Sequence, residues 1–311
     1  MHRVLLPFEF AEPSSLREAA QLVDGDTARA LAGGVDLVLK MRLRQTVPER
    51  VVSLRKIPGL EHLREDERGL RIGALATLSQ LERARQVREG WPLLGDAIAS
   101  IASVQIKVMG TVVGNLCVGT PASDVAPALS ALGATLIVTG VGSTRELSIE
   151  EFFQDVGKTA VGPHEIVTEV VVPRPRTASG GAFLKLAKTT EDIAKVNVAV
   201  FLETSEGICT RARIALGSVG PTPLRAVEAE RLLEGKELGE PATPGAQARS
   251  GATTTRFSPL VTETAEAAME VAMPISDVRS TSAYRKEMVR VLVRDALERA
   301  TSRALGEGRP Q

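Results

Sequence analysis

The apolar run Ser103-Val-Gln-Ile-Lys-Val-Met-Gly-Thr-Val-Val-Gly-Asn-Leu-Cys117 has the residue types for holding a ligand rather than for attacking a bond. Gly110, Gly114 and Gly119 interrupt sequence too apolar for a surface loop, and glycines in that setting mark close backbone approach. Asn115 can bond outward from such a turn, and Pro121-Ala-Ser-Asp124 sets a carboxylate just before a helical pattern at Val125 to Leu132. A phosphate or ribose fits that chemistry; tight turns between core strands would use the same glycines. Upstream, Leu31-Ala-Gly-Gly-Val-Asp-Leu37 has a similar character, with apolar Ala28 to Ala32 before it and a helical pattern from Asp36 to Leu43 after it. Strand, glycine turn and helix form an anion cradle, because backbone N–H groups point at the ligand and the helix N-terminus favours negative charge. A pyrophosphate suits it. Neither turn has the G-x-G-x-x-G spacing of a Rossmann fingerprint or the Lys-Ser/Thr ending of a P-loop, so the usual nucleotide folds fit poorly.

Side-chain catalysis is not indicated, and no catalytic residue is assigned. His2 is terminal, His62 and His164 lie in polar turns, and no Ser/His/Asp arrangement emerges. Cys117 and Cys209 are too few for a disulfide framework, a zinc site or a four-thiolate cluster; each is expected as a small buried hydrophobe, with no metal ligands.

The elements that must position these turns follow from periodicity and caps. Ser15 and Glu18 stand in capping-box spacing ahead of a helix with Leu16, Ala19, Ala20 and Val23 on one face. Ala28 to Ala32 and Val51 to Leu54 read as short buried strands around the helix Asp36 to Leu43, a βαβ unit with parallel pairing. After Pro58-Gly59, Leu70 to Ala74 is strand-like and Thr77 with Gln80 caps Leu78 to Ala84. Ile98 to Ala102 ends an apolar helix, Val104 to Val108 alternates like a strand, and Ala134 to Thr139 is another strand. Pro173 to Gly181 has linker composition and marks a boundary. Beyond it, Ala194 to Glu203 and Arg211 to Gly217 read as a pairing meander, and Pro223 as the first residue of a helix ending near Gly235. Gly239 to Ser258 reads as an exposed connection. Ser282 to Ala300 is the best helix, with Tyr284, Met288, Val291, Leu292 and Ala296 on its apolar stripe and the charges in water. The end after Ala304 reads as a frayed tail.

Composition limits the function. With 311 residues and 43% hydrophobic content, more than one core is expected. Lys plus Arg and Asp plus Glu are both 38, so no general field attracts nucleic acid or anionic membrane. No apolar run reaches membrane-spanning length, and Glu9 and Glu12 cut short any signal-peptide core, so a cytoplasmic location is expected.

Ala32-Gly-Gly-Val-Asp-Leu37, Ser103-Val-Gln-Ile-Lys107, Gly110-Thr-Val-Val-Gly-Asn-Leu116 and Pro121-Ala-Ser-Asp124 resemble the FAD-binding subunit of the molybdopterin hydroxylases. That family includes the medium subunit of aerobic carbon monoxide dehydrogenase and the flavin domain of xanthine dehydrogenase. Phe183-Leu-Lys185, Asp192 to Val196, Ala212 to Gly217 with Pro221-Thr-Pro223, and Tyr284 to Arg290 resemble its C-terminal half. The resemblance implies an α+β protein: a two-subdomain FAD-binding α/β domain of the PCMH type, residues 1–56 and 57–173, then a smaller α/β C-terminal domain, residues 174–311, with an antiparallel sheet and helices.

It also implies roles. The backbones of Ala32, Gly33, Gly34, Val35 and Asp36, and of Gly110, Thr111, Val113 and Gly114, would cradle the pyrophosphate across a crevice between the two subdomains. Asn115 would add a bond, Asp124 would accept from the ribose or adenine side, and Lys185 would reach the flavin edge. An ammonium there favours anionic reduced flavin; without the resemblance, Lys185 reads as a strand-edge lysine. The flavin would carry electrons from two two-iron, two-sulfur clusters of a small subunit to an acceptor, beside a molybdopterin-binding large subunit, in a dimer of heterotrimers. Two cysteines rule out the extra cluster segment of the 4-hydroxybenzoyl-CoA reductase branch. Val113 stands where the family usually has glycine, and Val35 where a polar residue often follows. If position 113 needs positive φ, valine there costs roughly 1 to 3 kcal/mol. The alternative is a flavin-free scaffold that keeps the fold and the partners.

Overall fold

The computed structural model describes residues 4–175, 178–189, 191–239 and 258–306. His2, most of the expected connection from Gly239 to Ser258, the tail beyond Gly306 and part of the linker lie outside them. The chain forms two compact units: Met1–Val87 with Ile101–Thr120 and Gly133–Arg174, and Arg88–Ser100 with Pro121–Leu132 and Pro175–Gln311. Among the described residues, no helix is long and apolar enough to cross a membrane.

In the first unit, strands Glu9–Ala11, Arg50–Ser53 and Ala28–Leu31 form a three-stranded sheet, in that order, and every pair is parallel. The helix Val35–Arg42 is the crossover that parallel pairing requires, so the expected βαβ unit is present. Helix Leu16–Leu22 starts at Ser15, whose Oγ accepts from Glu18 N at 3.3 Å. The box is displaced by one residue, since the Glu18 carboxylate takes the N–H of Ser14 rather than of Ser15. A five-stranded antiparallel sheet follows, ordered Leu63–Asp66, Gly69–Gly73, Ile166–Val172, Thr135–Thr139, Thr144–Ser148. Thr77 and Gln80 form the full capping box of helix Leu78–Arg83.

Two expectations here are corrected. Val104 to Val108 is not a strand: Val104–Met109 is a helix after Ser103. The alternation misled because Val104, Ile106 and Val108 are exposed, while Lys107 is the buried residue, paired with Glu82 at 2.5 Å. The segment after Gly110, read as a glycine turn, is likewise helical over Val112–Cys117.

The second unit is built on the antiparallel meander Ser179–Leu186, Val196–Ser205, Ile208–Gly217 and Leu224–Arg225. Its core joins Val198, Val200, Leu202, Ile214 and Leu216 to helices Pro259–Val271 and Ser282–Ala304. Gly180 lets the long helix close on the sheet, because a Cβ there would run into the Ala300 carbonyl. The long helix faces differently from expectation. Val289, Val293, Ala296, Leu297 and Ala300 are buried, while Tyr284 is exposed. The inward residue of the first turn is Arg285, held by Asp277 at 2.5 Å and the Ser218 carbonyl. Pro223 does not open a helix either. Leu224–Arg225 pairs with the neighbouring strand, and the helix Val227–Leu233 begins after Ala226.

Candidate functional site: two glycine turns and a buried lysine–aspartate pair

At the carboxyl ends of the parallel strands, Ala32, Gly33, Gly34 and Val35 line a cavity of about 420 Å³. Open α/β sheets bind ligands at that end. Gly34 is the N-cap of helix Val35–Arg42, with φ +78° and no side-chain cap. An L-residue rarely takes that backbone, and a capping side chain would occupy the very N–H groups that a phosphate needs. Asp36, expected beside them, is exposed in the first helical turn and is not among the cavity-lining residues. Sequence reasoning missed the opposite wall, including Phe10, Ser53 and Arg55. The carboxyl ends of the neighbouring strands were the available signal.

The two glycine turns meet inside this unit. A Cβ on Gly33 would run into the Met109 carbonyl, so Gly33 serves backbone against backbone. Gly110 packs beside Leu78 and Val35, and its carbonyl accepts from Leu78 N at 2.9 Å. Thr111 is buried and caps the next helix, its Oγ1 accepting from Gly114 N at 2.9 Å while its carbonyl accepts from Asn115 N at 3.0 Å. Val113 corrects an expectation. It is buried in helix Val112–Cys117, and the non-glycine residues with positive φ among those described are Arg44, Ala102, His164, Glu206 and Ser218. No left-handed strain arises at 113.

In the second unit, Asp124 and Lys185, which stand 61 positions apart in sequence, pair at 2.7 Å, each side chain 8% exposed. Lys185 lies on an edge strand, yet its ammonium is buried in this pair and also donates to the Ser100 carbonyl at 3.1 Å. Burial pushes the Asp124 carboxyl up, opposed by Lys185 and by the amide of Asn197, which donates to Asp124 Oδ1 at 2.8 Å. Sequence reasoning missed Asn197; a lone amide within Val196-Asn-Val-Ala-Val was the signal.

The remaining reactive groups are structural. His62 contacts the Gly59 carbonyl at 2.7 Å and Glu169 at 2.8 Å, and the Nδ1 of His164 lies 3.2 Å from the Ala20 carbonyl. Cys209 is buried as expected, whereas Cys117 is exposed.

A parallel βαβ unit whose glycine turn opens an uncapped helix onto a cavity is a build suited to an anionic group such as a phosphate. Residues 6–175 match the family described as the FAD binding domain in molybdopterin dehydrogenase, and residues 181–259 the CO dehydrogenase flavoprotein C-terminal domain. The carbon monoxide dehydrogenase medium chain of Afipia carboxidovorans is 34% identical, covering 96% of this chain and 98% of that one. The nicotinate dehydrogenase FAD-subunit of Eubacterium barkeri is 35% identical over 74% of this chain and 81% of its own. The crystal structure of the cyanide-inactivated Cu,Mo-CO dehydrogenase superposes with a TM-score of 0.87 at 32% identity, covering 96% of this chain and 99% of that one. The chain therefore belongs to the FAD-binding medium-subunit family of the molybdopterin dehydrogenases, the xanthine dehydrogenase family of oxidoreductases. The residues present fit the cofactor: the Gly34 turn heads its helix without a side-chain cap, as an anion cradle would require, and helical Val113 carries no left-handed strain. The flavin-free scaffold finds no support in these matches.

Proposed function

We propose that this chain holds FAD by its pyrophosphate on the backbones of Ala32 to Asp36 and Gly110 to Gly114, with a side-chain bond from Asn115, and relays electrons between iron–sulfur clusters of a small subunit and an external acceptor. Bound FAD supplies the redox chemistry; the chain binds it, orients it and keeps water from it. The observation that carries this reading is the left-handed, uncapped Gly34 at the head of a helix facing a cavity. The roles read for Asp124, a bond to the ribose or adenine side, and for Lys185, a reach to the flavin edge, belong to the same proposal. So do a molybdopterin-binding large subunit, a small subunit with two two-iron, two-sulfur clusters, a dimer of heterotrimers and a cytoplasmic location. The division at residues 56 and 173 is part of it too, with Arg88–Ser100 and Pro121–Leu132 packed in the unit of the C-terminal sheet.

The test is removal of flavin from the purified complex. The partner's clusters should remain reducible by substrate while delivery to the acceptor stops, and FAD should restore delivery. Full delivery without flavin would refute the relay. Asp124→Ala sharpens the site: losing a charge-assisted hydrogen bond, worth roughly 1.5 to 3 kcal/mol, should leave flavin washing out on dialysis. Full retention would confine Asp124 to its pair with Lys185.

A further inference from the structure

Lys185, Asn197 and Gly217 form one row across three strands: Lys185 faces Asn197, and Asn197 faces Gly217, in the antiparallel registers. Asn197 is fully buried in an otherwise apolar stretch of strand, a costly position for an amide unless its donors are bonded. They are: Nδ2 donates to the Ser123 carbonyl at 3.1 Å and to Asp124 Oδ1 at 2.8 Å. The amide can point only one way, since flipping it would set its oxygen against those two acceptors. Its Oδ1, which has no hydrogen-bond partner among the described residues, lies 2.0 Å from where a Cβ on Gly217 would be, and that Cβ would also come within 2.7 Å of Pro127 Cγ. With Oδ1 of Asp124 held by the amide, Oδ2 takes the Lys185 ammonium at 2.7 Å. The ammonium spends a second N–H on the Ser100 carbonyl at 3.1 Å and, among the described residues, keeps a third.

We propose that Asn197, in the space Gly217 leaves for it, is a positioning residue for the Lys185 amine. It clamps the carboxylate that clamps the amine, so that the third N–H is held in a fixed direction for an acceptor on the bound isoalloxazine. This rests on the reading that Lys185 reaches the flavin. The arrangement explains two features that core packing leaves unexplained. An asparagine stands second in a buried valine-rich strand, and a glycine stands at the end of the next strand, where a β-former would pack better.

The test uses the purified complex and two readouts. One is the rate at which an N-hydroxysuccinimide ester acylates Lys185, followed by peptide mass spectrometry; the other is the midpoint potential of the bound flavin. Asn197→Leu keeps the branched shape, with somewhat more bulk, and removes the donors. Freeing the carboxylate from one hydrogen bond should speed Lys185 acylation roughly tenfold and shift the flavin potential. Gly217→Ala should act in the same direction by pushing the amide off Asp124, and keeps the question open to test if Asn197→Leu does not fold. Lys107, buried against Glu82 in the other unit, is the internal reference. Unchanged acylation of Lys185, or equal acceleration at Lys107, overturns the proposal. Faster Lys185 acylation with an unmoved flavin potential supports the positioning role and instead removes Lys185 from the flavin edge.

Discussion

The turns at Gly33-Gly34 and at Gly110 to Gly114 look alike in sequence, and each leads into a helix. They end their backbones differently. At the first, Gly34 takes a left-handed conformation and brings no side chain, so the N–H groups opening helix Val35–Arg42 have no side-chain cap. At the second, Thr111 brings its own hydroxyl and binds the Gly114 N–H, so the helix Val112–Cys117 is capped from within. A helix N-terminus that caps itself has fewer donors to offer; one headed by glycine leaves its donors for a ligand. Of the two turns in the proposed site, the first therefore has more N–H donors to offer an anion. The second also supports the first, through the Met109 carbonyl against Gly33.

Substitutions can break this comparison, and Gly33→Ala should have the largest effect. Its Cβ meets a backbone carbonyl that cannot rotate away, so a loss of about 3 kcal/mol is expected, seen as a lower melting temperature and poor flavin content. A melting curve matching the parent's would mean the turns do not touch. Val113→Gly comes next. Removing a buried side chain worth roughly 2 kcal/mol and adding glycine's penalty in a helix should destabilise apo and FAD-loaded protein equally. Tighter FAD binding in this variant would show that position 113 crowds the cofactor after all.

Thr111→Ala should cost about 1 kcal/mol through loss of the cap, and Thr111→Ser should recover most of it. If alanine and serine behave alike, the hydroxyl is not the cap. The smallest effect is expected at Gly114→Ala. The contact its Cβ would make, at 2.8 Å, is with the Thr111 hydroxyl, and the helix gains from alanine, so the net change should stay within about 1 kcal/mol. A loss as large as that at Gly33 would erase the distinction between the two turns.

Much of this was legible in the sequence wherever local rules act alone. The caps at Ser15 and Thr77 and the strand–turn–helix at Ala28 to Arg42 follow from residue type and short-range spacing. The strand reading of Val104 to Val108 fails because period-2 alternation signals a strand only when one face is buried. Here Val104, Ile106 and Val108 face outward and Lys107 is buried. The stripe on the long helix shifted for a similar reason: an arginine with a carboxylate partner eight residues upstream can be buried, and periodicity counts it as a surface residue.

By itself the sequence determined the parallel βαβ cradle, the antiparallel meander and the family, since each depends on short motifs or on several motifs in order. Tertiary structure alone decided which turn offers free donors, that Gly33 answers to Met109, and that Asp124, Lys185 and Asn197 form one buried network. Those facts depend on where groups far apart in sequence meet, and on which of them loses its water, and the energy of a charge or an amide is set by that environment rather than by its neighbours in the chain.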